Sequence, residues 1–113
     1  MLLRKTSLVS GTAKLLPASK SIANRALVIR ALAGGSGVLE NLSDANDTRL
    51  MRTLIGSESP LIDVEDAGTT MRFLTAYYAI TGQHKTLTGT PRMLERPIGI
   101  LVEALRTLGA TIL

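Results

Sequence analysis

Residues 16–32 read LPASKSIANRALVIRAL, and the way this stretch opens organises the rest of the chain. Pro17, followed by Ala18, Ser19, Lys20 and Ser21, predicts a break in the chain and then a helix starting near residues 19–21. A helix start exposes unpaired backbone N–H groups and carries a partial positive charge. The hydroxyls of Ser19 and Ser21, with the ammonium of Lys20 between them, therefore make a place for a phosphate or carboxylate. Arg25 lies four residues beyond Ser21, on the same face, where its planar guanidinium can grip two oxygens of one oxyanion. Spacing alone describes a capped, solvated surface helix equally well, because Ser is an ordinary cap and basic side chains are ordinary surface.

Working outward, residues 11–16 alternate enough for a short strand that Pro17 stops. Ile22, Ala26, Ile29 and Ala33 recur at helical spacing and predict the apolar stripe of the first helix, which Gly34 and Gly35 end. Residues 37–41 read as a strand. Ser43 or Asp44 caps a second helix with Leu50, Met51, Leu54 and Ile55 on one side and Gly56 as its stop. Residues 57–60 are a polar loop and residues 61–64 a third short strand. The order then recurs: a helix over residues 68–80 stopped by Gly82, a strand over 85–89, a helix over 97–108, and the start of a strand at 111–113. Pro97 opens the last helix, whose stripe is Ile98, Leu101, Val102, Leu105 and Leu108, closed by Gly109. Superposing the halves sets Arg25 over Arg72, Gly35 over Gly82 and Leu39 near Leu87, an internal repeat of about 47 residues in which each half reads helix, strand, helix, strand. The fold class is α/β. Because the chain stops inside an expected strand, it reads as a fragment of a longer protein.

At 113 residues there is room for one small domain. The composition is 45% hydrophobic, lacks Trp and has Phe73 as its only Phe, so the core is expected to be built from Leu, Ile, Val, Ala and Met without an aromatic centre. No Cys is present, which rules out a disulfide framework and a thiolate metal site, and the lone His84 cannot form a His pair. No metal or cofactor is expected. The first ten residues are too short and interrupted for a signal peptide, and nothing approaches a membrane span, so a cytoplasmic protein is the reading. Thirteen Lys and Arg against nine Asp and Glu give a net charge of +4, suited to small anionic substrates. The basic residues are scattered singly with few aromatics among them, which argues against a nucleic-acid surface.

Two further stretches carry chemistry. In residues 66–72, DAGTTMR, Gly68 lets backbone approach a ligand and Thr69 and Thr70 supply hydroxyls at another helix start, although a Thr-rich cap and a structural Arg72 read the same way. Residues 89–99, GTPRMLERPIG, put Arg92, Glu95 and Arg96 on a short loop, where Glu95 either serves a site or simply pairs with an Arg. Asp44, Asp47 and Arg49 read as capping and surface pairing, and His84 as solvated.

Together, KSIANRAL, NLSDANDTRLM, DAGTTMRFL and LTGTPRMLERPIG with LVEALRTLGA, in that order from residue 11 onward, strongly resemble the amino-terminal part of the 5-enolpyruvylshikimate-3-phosphate synthase family (3-phosphoshikimate 1-carboxyvinyltransferases). The resemblance implies two domains of repeated βαβαββ units, of which residues 1–113 are part of the amino-terminal one, with about residues 1–13 belonging to the other domain. It implies transfer of the enolpyruvyl group of phosphoenolpyruvate to the 5-hydroxyl of shikimate 3-phosphate, in chorismate and aromatic amino acid biosynthesis, by an enzyme expected to act as a monomer. It makes Lys20 a catalytic contact to both substrates, Ser21 and Arg25 contacts to shikimate 3-phosphate, Gly68 and Thr69 the lining on the phosphoenolpyruvate side, where glyphosate competes at Gly68, and Arg92 a ligand of the phosphoenolpyruvate anion.

Two positions depart from the family pattern: Asp66 stands where Asn is usual, placing a carboxylate near an anion site, and Phe73 where Pro is frequent. The family's proton-transfer carboxylates, a Ser-Ser-Gln cluster and further Lys and Arg ligands come from later parts of its chain. These residues are therefore expected to form an incomplete half-site without turnover of their own. The alternatives are the sibling UDP-N-acetylglucosamine enolpyruvyl transferase, whose usual motif has Asn directly after the Lys where Ser21 stands here, and a non-enzymatic anion-binding or nucleic-acid-binding module.

Overall fold

The computed structural model describes Leu8, residues 10–12, Lys14 and residues 16–113. The strand expected over residues 11–16 lies partly outside the described residues, and the described ones there have no regular structure. The first helix, α1 (Lys20–Leu32), starts where the Pro and Ser residues put it: Ser19 is its N-cap and its Oγ accepts from Ile22 N at 3.4 Å. Then come α2 (Asn46–Leu54), β1 (Leu61–Asp63), α3 (Gly68–Ile80), β2 (Thr86–Thr88), α4 (Pro91–Leu94) and α5 (Gly99–Thr107). β1 and β2 pair in parallel, with Leu61 opposite Thr86, Ile62 opposite Leu87 and Asp63 opposite Thr88. A parallel pair needs a crossover, and α3 supplies it, so this part of the chain is a βαβ unit.

The buried cluster comprises Leu27, Met51, Ile62, Val64, Met71, Leu74, Tyr78 and Met93, where α1, α2, α3 and the small sheet meet. Three of its eight members are Met, whose flexible thioethers fill a core that has few rings. It is not free of aromatics, however. Tyr78 is only 2% exposed, and its hydroxyl donates to the carbonyl of Leu54 at the end of α2, which is how a ring with a polar tip can be buried. Burial, and secondarily the neighbouring Tyr77, push the Tyr78 phenol above its ordinary pKa.

Several expectations are corrected. The α1 stripe is not Ile22, Ala26, Ile29 and Ala33: Ile22 and Ile29 are 71% and 66% exposed, and the buried face carries Ala23, Asn24 and Leu27. Residues 37–41 form no strand, because Gly37 (φ 87°) and Asn41 (φ 51°) turn the backbone out of the extended region and no described strand lies beside them. Residues 111–113 are irregular too; Ile112 gives its carbonyl to Arg106 Nε instead of a ladder. The halves therefore do not both read helix, strand, helix, strand. α2 begins after Ala45, with Ser43 Oγ accepting from Ala45 N just ahead of it rather than from a helical N–H. The loop expected over residues 89–99 contains α4, which Thr90 caps by accepting from Met93 N. In the last stripe Leu105 is buried but Leu108 is 83% exposed.

One correspondence between the halves is visible in the structure, one residue out of the expected register. α1 and α3 are both 13 residues long, and each is followed by a Gly in the left-handed region, so that Gly34 (φ 76°), not Gly35, matches Gly82 (φ 67°). Arg25 Nη1 donates to the carbonyl of Ser21 and Arg72 Nη1 to that of Gly68, each one turn back at its helix start.

Candidate active site

Three helix starts converge. Lys20, the first residue of α1, reaches Asp47 in the first turn of α2, with Nζ 3.6 Å from Oδ1. The carbonyl of Asp47 in turn accepts from Thr70 Oγ1, buried in the first turn of α3, at 2.9 Å. Unpaired N–H groups and the positive ends of three helices thus lie side by side. The loops that leave the carboxyl ends of β1 and β2 lead to α3 and α4. They are tied to each other by Thr90 N donating to Glu65 O at 2.9 Å and Val64 N donating to Thr88 O at 2.9 Å. Ligands of open α/β sheets bind at this end of the strands.

Lys20 is 45% exposed and Asp47 20%, so the pair is partly wet and the ammonium retains room for an anion. Ser21 is exposed, and its contribution to the internal hydrogen bonding is its carbonyl, which Arg25 Nη1 holds at 2.9 Å. The Arg25 guanidinium also lies 5.6 Å from the centroid of the Phe73 ring on α3. Gly68 is buried as the first residue of α3, and Thr69 beside it is half-buried. A Cβ at position 68 would run into Arg96 Nη1 and come within 3.4 Å of Arg72 Nη1, so two guanidinium groups cover this helix start. Arg72 is fixed there by donating to the carbonyls of Gly68 (3.2 Å) and Pro97 (3.0 Å). Arg92 is exposed on α4, and among the described residues no hydrogen bond or ion pair ties it to Lys20, Ser21 or Arg25.

The Asp66 carboxylate is exposed and accepts from Asn46 Nδ2 at 3.5 Å, a contact that amide shares with Glu65 at 3.4 Å. Glu95 forms no ion pair among the described residues, so it does not order the loop by pairing with an Arg. Asp47 and Arg96 were legible only as a surface acid and a loop base. Their places depend on Lys20 and Gly68, each more than 25 residues away along the chain. Among the described residues no group of His, Cys, Asp or Glu is placed to hold a metal ion, and no helix is long and apolar enough to cross a membrane. The arrangement is chemically an anion site, with cations, hydroxyls and backbone donors at convergent helix starts.

The chain is 58% identical over 97 residues to a 3-phosphoshikimate 1-carboxyvinyltransferase of Bacteroides fragilis, covering 86% of this chain and 24% of the relative. The enzymes of the same name from Ralstonia pickettii and Sodalis glossinidius are 40% and 41% identical, over 90% and 92% of this chain and 29% and 30% of theirs. The chain thus spans about a quarter to a third of the length of these curated relatives. No solved structure matches it. The family model for EPSP synthase (3-phosphoshikimate 1-carboxyvinyltransferase) matches residues 53–113, more than half of the chain, and on that match the chain belongs to the EPSP synthase family.

Proposed function

We propose that this chain is the amino-terminal part of an enzyme that transfers the enolpyruvyl group of phosphoenolpyruvate to the 5-hydroxyl of shikimate 3-phosphate and releases phosphate. The observation that carries the reading is the convergence of the starts of α1, α2 and α3, with Lys20, Arg25, Arg72 and Arg96 around them. Both substrates are polyanions, and a site of fixed N–H donors and cations stabilises them in proportion to the water it excludes. Lys20, Ser21 and Arg25 hold shikimate 3-phosphate. Lys20, Gly68, Thr69 and Arg92 line the phosphoenolpyruvate side, with Gly68 leaving room for backbone and the Arg96 guanidinium to approach. Lys20, between the two anions, acts as the catalytic cation, and substrate oxygens take over the contact that Asp47 makes with it.

The finer architecture belongs to the same proposal. The complete protein is a monomer of two domains built from βαβαββ units, residues 1–113 form part of one of them, and about residues 1–13 lie in the other. The paired 13-residue helices and their matching Arg contacts support the repeat. Its setting is the cytoplasm, and its partners are small anions rather than nucleic acid or membrane. The test is phosphate release from the two substrates together. The complete protein is expected to release phosphate only when both are present and to lose that activity with Lys20→Met. The 113-residue chain is expected to give none. Release by the chain alone that Lys20→Ala abolishes, or a complete protein that is inert with both substrates, overturns the reading. A salt series of binding to shikimate 3-phosphate and to an oligonucleotide separates the nucleic-acid-binding alternative, because affinity for an oligonucleotide falls steeply with salt.

A further inference from the structure

We propose that Phe73 is a positioning residue for Arg25: its ring face holds the guanidinium at the start of α1 without neutralising it, leaving donors free for the phosphorylated acceptor. The proposal rests on the reading of Arg25 as a substrate ligand. Phe73 is half-buried against the core and so cannot wander, and Arg25 Cζ stands 5.6 Å from its ring centroid, within cation–π range. The other hold on Arg25 is the Ser21 carbonyl, which takes one N–H of Nη1. A guanidinium has five N–H donors, and a ring face occupies none of them. Among the described residues no carboxylate lies within ion-pair distance of Arg25. An acidic partner would fix the side chain as well, but would cancel the charge that an incoming phosphate is to meet.

Arg72 shows the contrasting solution. It lies one residue earlier in α3 than Arg25 does in α1 and makes the same bond to the carbonyl one turn back, but its second hold is the Pro97 carbonyl, which takes a further donor.

The complete enzyme with Phe73→Leu keeps an apolar side chain and loses the π face. The KM for shikimate 3-phosphate is expected to rise roughly 2- to 5-fold, the scale of an exposed cation–π contact, with kcat and the KM for phosphoenolpyruvate changed less than that. Phe73→Trp, a better π face, is expected to restore the KM. In an Arg25→Met background, Phe73→Leu is expected to add nothing, since the partner it acts through is gone. In the 113-residue chain, the Arg25 side-chain resonances are expected to be shifted upfield by the ring and to lose that shift with Phe73→Leu. If Phe73→Leu melts far below the parent, Phe73→Met and the resonances of the unsubstituted chain make the same test. An Arg25→Met enzyme with an unchanged KM removes the substrate role of Arg25, and the function proposed above with it. A raised KM in Arg25→Met, with Phe73→Leu silent or equally harmful in both backgrounds, overturns the positioning role alone.

Discussion

Gly89 sits where the two strand-to-helix loops touch, and replacing it by Ala isolates that contact. Its φ is not in the left-handed region, so Ala is not strained by backbone conformation. The obstacle is steric. A Cβ there would stand 2.5 Å from the carbonyl oxygen of Glu65, 2.9 Å from Met93 Cγ and 3.1 Å from Met93 Cβ. The side chain of Met93 can yield, but the Glu65 carbonyl is backbone, held by the bond from Thr90 N. Moving the loops apart weakens that bond and strains the adjacent one from Val64 N to Thr88 O, at about 0.5–1.5 kcal/mol each, with overpacking adding about 1–3 kcal/mol. The reduced freedom of the unfolded chain returns about 0.4–1 kcal/mol, leaving a net loss of about 1–6 kcal/mol with its middle at roughly 3 kcal/mol. At roughly 4 °C per kcal/mol for a chain of this length, the melting temperature is expected to fall by about 12 °C at that middle value. Gly68→Ala is the control: its obstacle is the far end of the Arg96 side chain, which can swing aside, so its melt is expected to stay within about 3 °C of the parent. Circular-dichroism melts of both variants make the comparison. A Gly89→Ala chain that melts like the parent, or a Gly68→Ala chain that melts as low as Gly89→Ala, refutes the distinction between a backbone obstacle and a side-chain one.

In the complete enzyme, Lys20→Met and Arg92→Ala are each expected to lower kcat/KM by roughly 10- to 150-fold, the loss of a charge-assisted contact of about 1.5–3 kcal/mol, while Arg106→Ala, whose guanidinium clips the exposed Ile112 carbonyl, stays within about 3-fold. Kinetics at matched salt decide, and equal losses in all three would refute the anion site. Tyr78 gives a pH dependence: with the folded phenol raised above the unfolded value of about 10, the unfolded state loses its proton first, so stability is complete below pH about 10 and falls as pH rises through the folded value. Urea unfolding of the parent and of Tyr78→Phe checks this, the variant being less stable at pH 7 through loss of the Leu54 bond but having a shallower alkaline slope. Asn24 is fully buried and, among the described residues, neither of its amide atoms is paired, so Asn24→Leu is expected to melt no lower than the parent, and a drop of several degrees would show that its amide does structural work.

Features set by neighbours in sequence were legible, and those set across the fold were not. Ser19 caps α1, and Gly68 to Ile80 is helical over the expected span, because caps, stops and spacing act within a few residues. The buried face of α1 was misread because both candidate faces carry apolar residues. Packing against α2 and α3 selects the side with Ala23 and Leu27, and carries the polar Asn24 in with them. The strand expected over residues 37–41 failed because a strand needs a partner, which local alternation cannot supply. The same division holds in the site. Lys20, Ser21, Arg25, Gly68 and Thr69 stood out because helix starts have a sequence signature. Asp47 beside Lys20, Phe73 under Arg25 and Arg96 over Gly68 have none, because each is a contact between distant segments.

The two three-residue strands pair only with each other among the described residues, which leaves the far side of β2 as an open edge. Such an edge is a template for another chain. The far side of β1 is guarded: Ser59 Oγ accepts from Leu61 N and donates to the Leu61 carbonyl, Asp63 puts a carboxylate at the other end, and three residues offer a newcomer few bonds. At the concentrations needed for spectroscopy, self-association through these edges is therefore expected to be weak and reversible by dilution rather than fibrillar, and ligand affinities measured in dilute solution report the single chain.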